Sequence, residues 1–268
     1  MNAIKMPNGA AAEYAKYACN FYKGCSHTCT YCFNNRWGWG DVPKLKSCFK
    51  SEEHALEVFE KELKANLPEL QKHGLFFTFT SDPFLEKTLK LNSRAMSMAA
   101  FFGVPVKVLT KMAISLDGLK RMDPSNLQII KDFIAFGFTL TGHDELEPGA
   151  STNAERIEAM KKLHEAGFRT WASIEPIIDI KSSVEMIEQT YEFCNLYKIG
   201  VKSNKKYGKK DLQLFIGYVC TDLDVPFPHI RKNNKFYFKD SLLQQAGIRR
   251  EELPSNCVNR DYNLFKDK

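Results

Sequence analysis

The sequence predicts an α/β fold: an incomplete (β/α)6 barrel over residues 17–201, followed by a basic extension over residues 202–268. Three observations carry this. Short runs of aliphatic and aromatic residues alternate with helical stretches of about a dozen residues, which is the pattern of right-handed βαβ units and a parallel sheet. The alternation repeats six times and stops near Val201. The charge is also uneven: residues 198–268 hold 15 Lys and Arg against 8 Asp and Glu, whereas residues 1–197 hold 23 against 24.

Residues 1–16 read as a loose leader. Residues 17–22, apolar and aromatic, read as a first strand that delivers a cysteine loop at its C-terminal end. A glycine- and tryptophan-rich loop over residues 34–41 follows. Ser51, with Glu52 and Glu53 behind it, then opens a helix whose apolar face is Leu56, Phe59, Leu63 and Leu67. Residues 75–80 (LFFTFT) read as a strand, and residues 89–102 as a helix stopped by Gly103. Residues 104–110 form a third strand, and residues 115–134 a helical region interrupted at Pro124. Residues 136–141 are a fourth strand. Residues 152–166 make a helix with a Thr152–Glu155 capping box. Residues 169–175 and 197–201 are the last two strands, with a helix over residues 182–196 between them. Beyond lie a lysine-rich loop at residues 202–210, a helix at residues 212–220, a short strand at residues 235–238, and a tail from residue 253 with no clear period.

The chemistry concentrates in Gly24-Cys25-Ser-His27-Thr-Cys29-Thr-Tyr31-Cys32. Three soft thiolates on a tight loop suit three irons of a [4Fe–4S] cluster and leave the fourth iron open for a ligand. A zinc knuckle is the competing reading, with His27 as the fourth ligand. The C-x3-C-x-aromatic-C spacing resembles the signature of radical S-adenosylmethionine (SAM) enzymes, so the barrel is expected to be a partial radical SAM barrel. The resemblance implies that SAM chelates the open iron. One-electron reduction, from a donor such as flavodoxin or ferredoxin, then cleaves it to methionine and a 5′-deoxyadenosyl radical.

Composition agrees. The chain has 268 residues, 44% hydrophobic and 26% charged, as expected of a globular protein. No apolar run reaches the ~18 residues of a membrane span, and no signal peptide is evident. A cytoplasmic location is expected, where the eight cysteines are metal ligands or free thiols. Cys19, Cys48, Cys194, Cys220 and Cys257 read as scattered free thiols, with a second cluster as the alternative.

In parallel barrels the functional groups come from the C-terminal strand ends. Those ends are Thr80-Ser81-Asp82-Pro83, Thr110-Lys111, Leu140-Thr141-Gly142 and Ile174-Glu175-Pro176, and each group could equally be a turn or helix cap. With the G-C-x3-C-x-Y-C loop, these T-S-D, T-K and E-P ends resemble the spore photoproduct lyase and DNA repair photolyase-like family. The resemblance implies that Ser81 meets the amino end of SAM, Lys111 its carboxylate, Thr141 the carboxylate or ribose, and Tyr31 the adenine. Glu175 would bind ribose or substrate, or pair with a lysine, and Asp82 would cap the next helix. Lyases of this family carry a hydrogen-donor cysteine before T-S-D, where this chain has Phe79; efficient spore photoproduct lyase activity is therefore not expected, and the enzyme is expected to be of lyase or transferase type. The catalytic residues stay unassigned. DNA or a nucleotide is the expected substrate, against a peptide or small metabolite, or a non-catalytic iron–sulfur nucleic-acid-binding module. Lys205, Lys206, Lys209, Lys210, Arg231 and Lys232 would contact phosphates, or form a solvated surface. Tyr207, Phe227, Phe236 and Tyr237 would stack bases, or lie in the core.

Overall fold

Seven parallel strands and one antiparallel edge strand form the central sheet of the computed structural model, which describes residues 2–36, 44–220 and 234–266. Strand β1 (Ile4–Lys5) pairs antiparallel with β2 (Ala18–Cys19). A small ribbon of β3 (Tyr22–Lys23) and β4 (Lys46–Ser47) follows, then α1 (Glu52–Ala65) and α2 (Leu67–His73). Strand β5 (Leu75–Phe77) lies parallel beside β2. The alternation continues with α3 (Glu86–Phe101), β6 (Val106–Thr110), α4 (Asp117–Lys120), α5 (Pro124–Phe133) and β7 (Ile134–Thr139). It goes on through α6 (Asn153–Glu165), β8 (Arg169–Ile177), α7 (Ile180–Glu188) and β9 (Leu196–Val201). Helix α8 (Lys209–Cys220), β10 (Lys235–Phe238) and α9 (Asp240–Ala246) complete it.

Local chemistry sets several ends. Ser51 accepts the His54 amide at 3.1 Å, and the Thr152–Glu155 capping box opens α6. Helix α7 stops earlier than its apolar period suggests. The Thr190 hydroxyl turns back to the Met186 carbonyl at 2.7 Å and meets the Tyr197 hydroxyl at 2.9 Å. Strand β5 stops at Phe77 because the Asn20 side chain, not a neighbouring strand, accepts the Phe79 and Thr80 amides, at 2.9 and 3.2 Å. The alternation expected through Phe79 breaks there: Phe77 packs on the helix side, while Phe79 stacks on Phe76 at 4.3 Å inside the barrel.

Side-chain alternation gives the sheet two faces. Val106, Val108, Phe136, Phe138, Ile174 and Ile199 meet the helices in the main core. Phe76, Ala135, Trp171, Leu196 and Tyr237 face inward and close on Tyr14 and on Leu264 of the C-terminal tail.

Two expectations are corrected. The sheet has a seventh parallel strand, because β10 pairs with β9 and buries Phe236 and Phe238. Its four residues follow a lysine-rich stretch that breaks the sequence rhythm. Residues 2–16 are also not loose. β1 extends the sheet, Gly9–Glu13 form a 3-10 turn, and Tyr14 is buried with its hydroxyl 2.6 Å from Ser173 Oγ and 2.5 Å from Glu175 Oε2. Tyr237 donates to Glu13 at 2.8 Å, so this segment ties the β2 edge of the open sheet to the β10 edge. Its small residues carry no periodic signal.

Glu175 and Lys239 meet at 2.8 Å over Gly200. A Cβ at Gly200 would fall 2.8 Å from the Cδ atoms of both. Gly200→Ala should therefore lose roughly 1–3 kcal/mol by overpacking, read as a lowered Tm; an unchanged Tm would show that the pair has room to move.

Candidate active site

The cysteine loop leaves β3 through Gly24, whose φ of 85° is the left-handed conformation glycine adopts without strain. It is held by the segment that follows β7. Thr30 N donates to Leu146 O at 3.0 Å, and Gly149 N donates to His27 O at 3.0 Å. His27 Nδ1 returns a bond to Gly149 O at 2.8 Å. The approach is so close that a Cβ on Gly149 would fall 2.5 Å from Ser26 O and 2.8 Å from His27 Cα.

Below the loop lies Asp82, buried at the end of the β5 connection. One oxygen accepts the Thr110 hydroxyl at 2.7 Å and the Phe84 amide at 2.9 Å. The other accepts the Lys111 amide at 2.8 Å and lies 3.1 Å from His27 Nε2. Burial alone would raise the Asp82 carboxyl, but His27 and these amides outweigh it and hold the carboxyl below its ordinary value. Asp82 thus joins the cysteine loop to β5 and β6, well beyond the helix cap expected of it. His27 faces a carbonyl with one ring nitrogen and a carboxylate with the other. It has no lone pair aimed at a metal, which removes the fourth ligand of a zinc knuckle.

A second buried pair sits beside Tyr31. The Tyr31 hydroxyl donates to Glu147, and Glu147 is paired with Arg156, both side chains 0% exposed. Arg156 also donates to Thr139 O at 2.6 Å, at the end of β7. Lys111 places its ammonium 5.4 Å from the Tyr31 ring centroid. Sequence reasoning missed Glu147 and Arg156 and weighed His27 only as a zinc ligand, because each acts through a partner distant along the chain.

Of the expected SAM contacts, Ser81, Lys111 and Thr141 stand at the ends of β5, β6 and β7, at the same end as the loop. Ser81 is buried, and its carbonyl accepts the Thr78 hydroxyl at 2.6 Å. Thr141 is buried, with its amide on Asn153 Oδ1 at 3.0 Å and its hydroxyl oxygen accepting the His143 amide at 3.2 Å. Glu175 takes the last alternative left open for it, since its oxygens accept from Lys239 and Tyr14. Lys205, Lys206, Lys209 and Lys210 are exposed beyond β9, and Lys205 reaches Ile178 O at 2.6 Å, past the end of β8. Phe236 and Tyr237 are buried, and Tyr207 bonds Ile177 O, so the structure places these three in packing rather than in base stacking. Arg231, Lys232 and Phe227 lie outside the described residues, as do residues 37–43 of the loop after the cysteines.

Burial, with the Asp82 charge adding to it, pushes the Cys25 thiol up to about 12, and burial likewise raises Cys29. Such thiols need a metal to ionise them at neutral pH. Among the described residues, no three His, Cys, Asp or Glu side chains gather as a cage for one ion. A cluster does not need such a cage, because each cysteine of a [4Fe–4S] unit ligates a different iron. Among the described residues the other cysteines form no disulfide, and Cys220 and Cys257 approach to 3.2 Å between sulfurs.

A model of the radical SAM superfamily matches residues 19–194. An uncharacterized protein of Methanocaldococcus jannaschii is 28% identical over 213 residues, which is 74% of this chain and 72% of that protein. One from Mycobacterium tuberculosis is 23% identical, over 69% of this chain and 56% of the relative. Among solved structures, a spore photoproduct lyase complexed with dinucleoside spore photoproduct superposes with a TM-score of 0.54 at 17% identity, covering 82% of this chain and 66% of that one. SuiB of Streptococcus suis bound to S-adenosylmethionine gives 0.58 at 15% identity, covering 85% and 51%. The chain is thus shorter than both structural neighbours, and at these identities the likeness concerns the fold. Among the described residues, no helix is long and apolar enough to cross a membrane.

Removing Arg156 leaves the buried Glu147 carboxyl without its ion-pair partner. Arg156→Ala should cost roughly 3–5 kcal/mol, and the double variant Arg156→Met/Glu147→Leu should recover most of it. Urea unfolding of the three proteins checks this; equal losses in the single and double variants would contradict the pairing.

Proposed function

The chain belongs to the radical SAM superfamily, and we propose that Cys25, Cys29 and Cys32 hold its [4Fe–4S] cluster for the reductive cleavage of SAM and hydrogen abstraction from a nucleic-acid substrate. The family uses a [4Fe–4S] cluster and SAM. When bound, the cluster supplies the electron that splits SAM into methionine and the fragment that takes hydrogen from the substrate. The observation that carries the proposal is the attachment of one three-cysteine loop to the ends of β5, β6 and β7 through Asp82, Gly149 and Glu147. This chain's part is to hold and orient. Asp82 fixes the Lys111 backbone, Tyr31 supports the Lys111 ammonium, and that ammonium is assigned to the SAM carboxylate. Ser81 and Thr141 are assigned to the amino end and to the carboxylate or ribose, and the Tyr31 ring to the adenine. Flavodoxin or ferredoxin is assigned as electron donor, and the cytosol as the compartment.

DNA or a nucleotide is the substrate class proposed, supported by the exposed lysines at the same end of the barrel as the cysteine loop. A neighbouring structure of SuiB bound to its precursor peptide, with a TM-score of 0.56, favours a peptide as the second reading. Efficient repair of spore photoproduct is not proposed. Phe79 stands in the place of the donor thiol, stacked on Phe76 and edge-on to Tyr14.

Anaerobic reconstitution should give about four irons per chain and 5′-deoxyadenosine on reduction with SAM. Replacing any one of the three cysteines should abolish both. Lys111→Ala should keep the iron and weaken SAM binding by on the order of 1.5–3 kcal/mol. Stoichiometric zinc in place of iron would remove the cluster, and unchanged SAM affinity would remove Lys111 from the site.

Nucleic-acid binding should fall steeply with salt. Neutralising Lys205, Lys206, Lys209 and Lys210 together should flatten the log–log slope by up to about 3.6 units. DNA carrying spore photoproduct should bind without efficient restoration of thymines. An absence of DNA or RNA binding at ~50 mM salt would move the peptide reading to the front, and many repair turnovers per active site would overturn the reading of Phe79.

A further inference from the structure

Three lysines face the inside of the barrel: Lys107 on β6, Lys198 on β9, and Lys239 just past β10. Lys198 and Lys239 are 3% and 2% exposed. All three ammonium groups bind main-chain oxygens of one short segment. Lys239 donates to Ala10 O at 3.0 Å. Lys198 donates to Glu13 O at 2.7 Å and to Tyr14 O at 3.2 Å. Lys107 donates to the same Tyr14 oxygen at 3.0 Å. The buried Lys198 and the half-buried Lys107 therefore converge on a single neutral carbonyl oxygen.

That partner is poorly matched to its donors. Taking an ammonium group out of water costs several kcal/mol, and an opposite charge repays it better than a neutral carbonyl, which carries none. The nearby carboxylates lie with Lys239 or act on Lys107 only through space: Glu13 is 3.9 Å from Lys239, and Asp261 offsets part of the burial of Lys107. Glu175 pairs with Lys239, and Glu13 accepts from Tyr237 and the Asp240 amide. Both hydrogen bonds of Lys198 go to carbonyls, and its ammonium lies 5.3 and 5.0 Å from the Tyr14 and Tyr237 ring centroids. Burial first, then repulsion from Lys107 and Lys239, draws Lys198 well below its ordinary value, and burial draws Lys107 down to about 8. Residues 9–13 bury no side chain fully, so the occupying segment is held by its polar contacts and by Tyr14, which packs on Phe76 and Trp171.

We propose that Lys107, Lys198 and Lys239 form an anion site within the substrate chamber, filled in this state by the carbonyls of residues 10–14 and taken by a phosphate or carboxylate oxygen of the substrate when that segment withdraws. This rests on the reading that the barrel interior below the cysteine loop receives substrate. The Tyr14 carbonyl oxygen stands in for the anionic oxygen, and Lys239, held by Glu175, borders the site on the side of β8.

The test is hydrogen–deuterium exchange across residues 9–15 in the reconstituted enzyme with SAM, using inorganic pyrophosphate, glutarate or chloride at matched ionic strength. The site predicts a saturable acceleration of about tenfold with pyrophosphate or glutarate as the segment opens, and none with chloride. Whichever anion saturates at lower concentration identifies phosphate or carboxylate as the preferred group. Lys198→Met should fold, since an apolar chain replaces a buried charge, and should lose the response; Lys107→Met provides the same test if it does not. No acceleration by either anion, or an equal response in wild type and variant, overturns the site. Measuring 5′-deoxyadenosine in the same samples keeps the two readings apart. SAM cleavage without an exchange response contradicts the anion site alone, and a response without cleavage contradicts the assigned reaction alone.

Discussion

Asp82 stands where the cysteine loop, the β5 connection and the end of β6 meet: Phe84, Thr110 and Lys111 donate to it, and His27 Nε2 lies 3.1 Å from it. A buried carboxylate is tolerated only when its lone pairs are filled, so satisfying Asp82 fixes the height and tilt of the loop relative to the strand ends. His27 carries the constraint on to Gly149, where the absence of a Cβ lets two backbones touch. Glu147 and Arg156 repeat the device one strand further along, with Tyr31 as the visible end. Three cysteines on a mobile loop would hold a cluster at no defined distance from anything. Here the same hydrogen bonds that fold the loop also fix Lys111 beside it, so the loop geometry and the placement of Lys111 share one cause.

The barrel interior follows a different rule. An open sheet of seven parallel strands leaves two edges, and residues 2–16 join them. The join is made by lysines and main-chain carbonyls rather than by an apolar strip. Closure through polar contacts is compatible with a chamber that has to open, and Leu264, Trp171 and Phe76 form the apolar cluster in which Tyr14 also packs.

Much of the fold was legible because its signals are local. The six strand–helix repeats, the Thr152 capping box and the cysteine spacing each occupy a few neighbouring residues. Strand limits were less legible. Nothing near Phe79 reveals that Asn20 will take its amide, so the run LFFTFT reads longer than the strand it forms. The short strand at residues 235–238 was legible, but its place as a seventh parallel strand was not, and the inserted N-terminal segment escaped notice for a similar reason. Lys239 reads as one more basic residue until Glu175 is beside it, and Gly9 to Glu13 carry no pattern because their backbone makes the contacts. In the site, the ligand-type residues were visible, whereas the residues that hold them depend on pairings such as Tyr31 with Glu147.

The central claim is that this pinned loop presents a cluster whose open iron SAM can reach. Electron paramagnetic resonance of the reduced, reconstituted protein tests it most directly, because the spectrum reports the ligands of the cluster rather than any downstream product. Adding SAM should change the spectrum of the wild type, saturably. In Lys111→Ala the same change should require more SAM, with the spectrum in its absence unaltered. A reduced cluster whose spectrum is identical with and without saturating SAM would contradict the account.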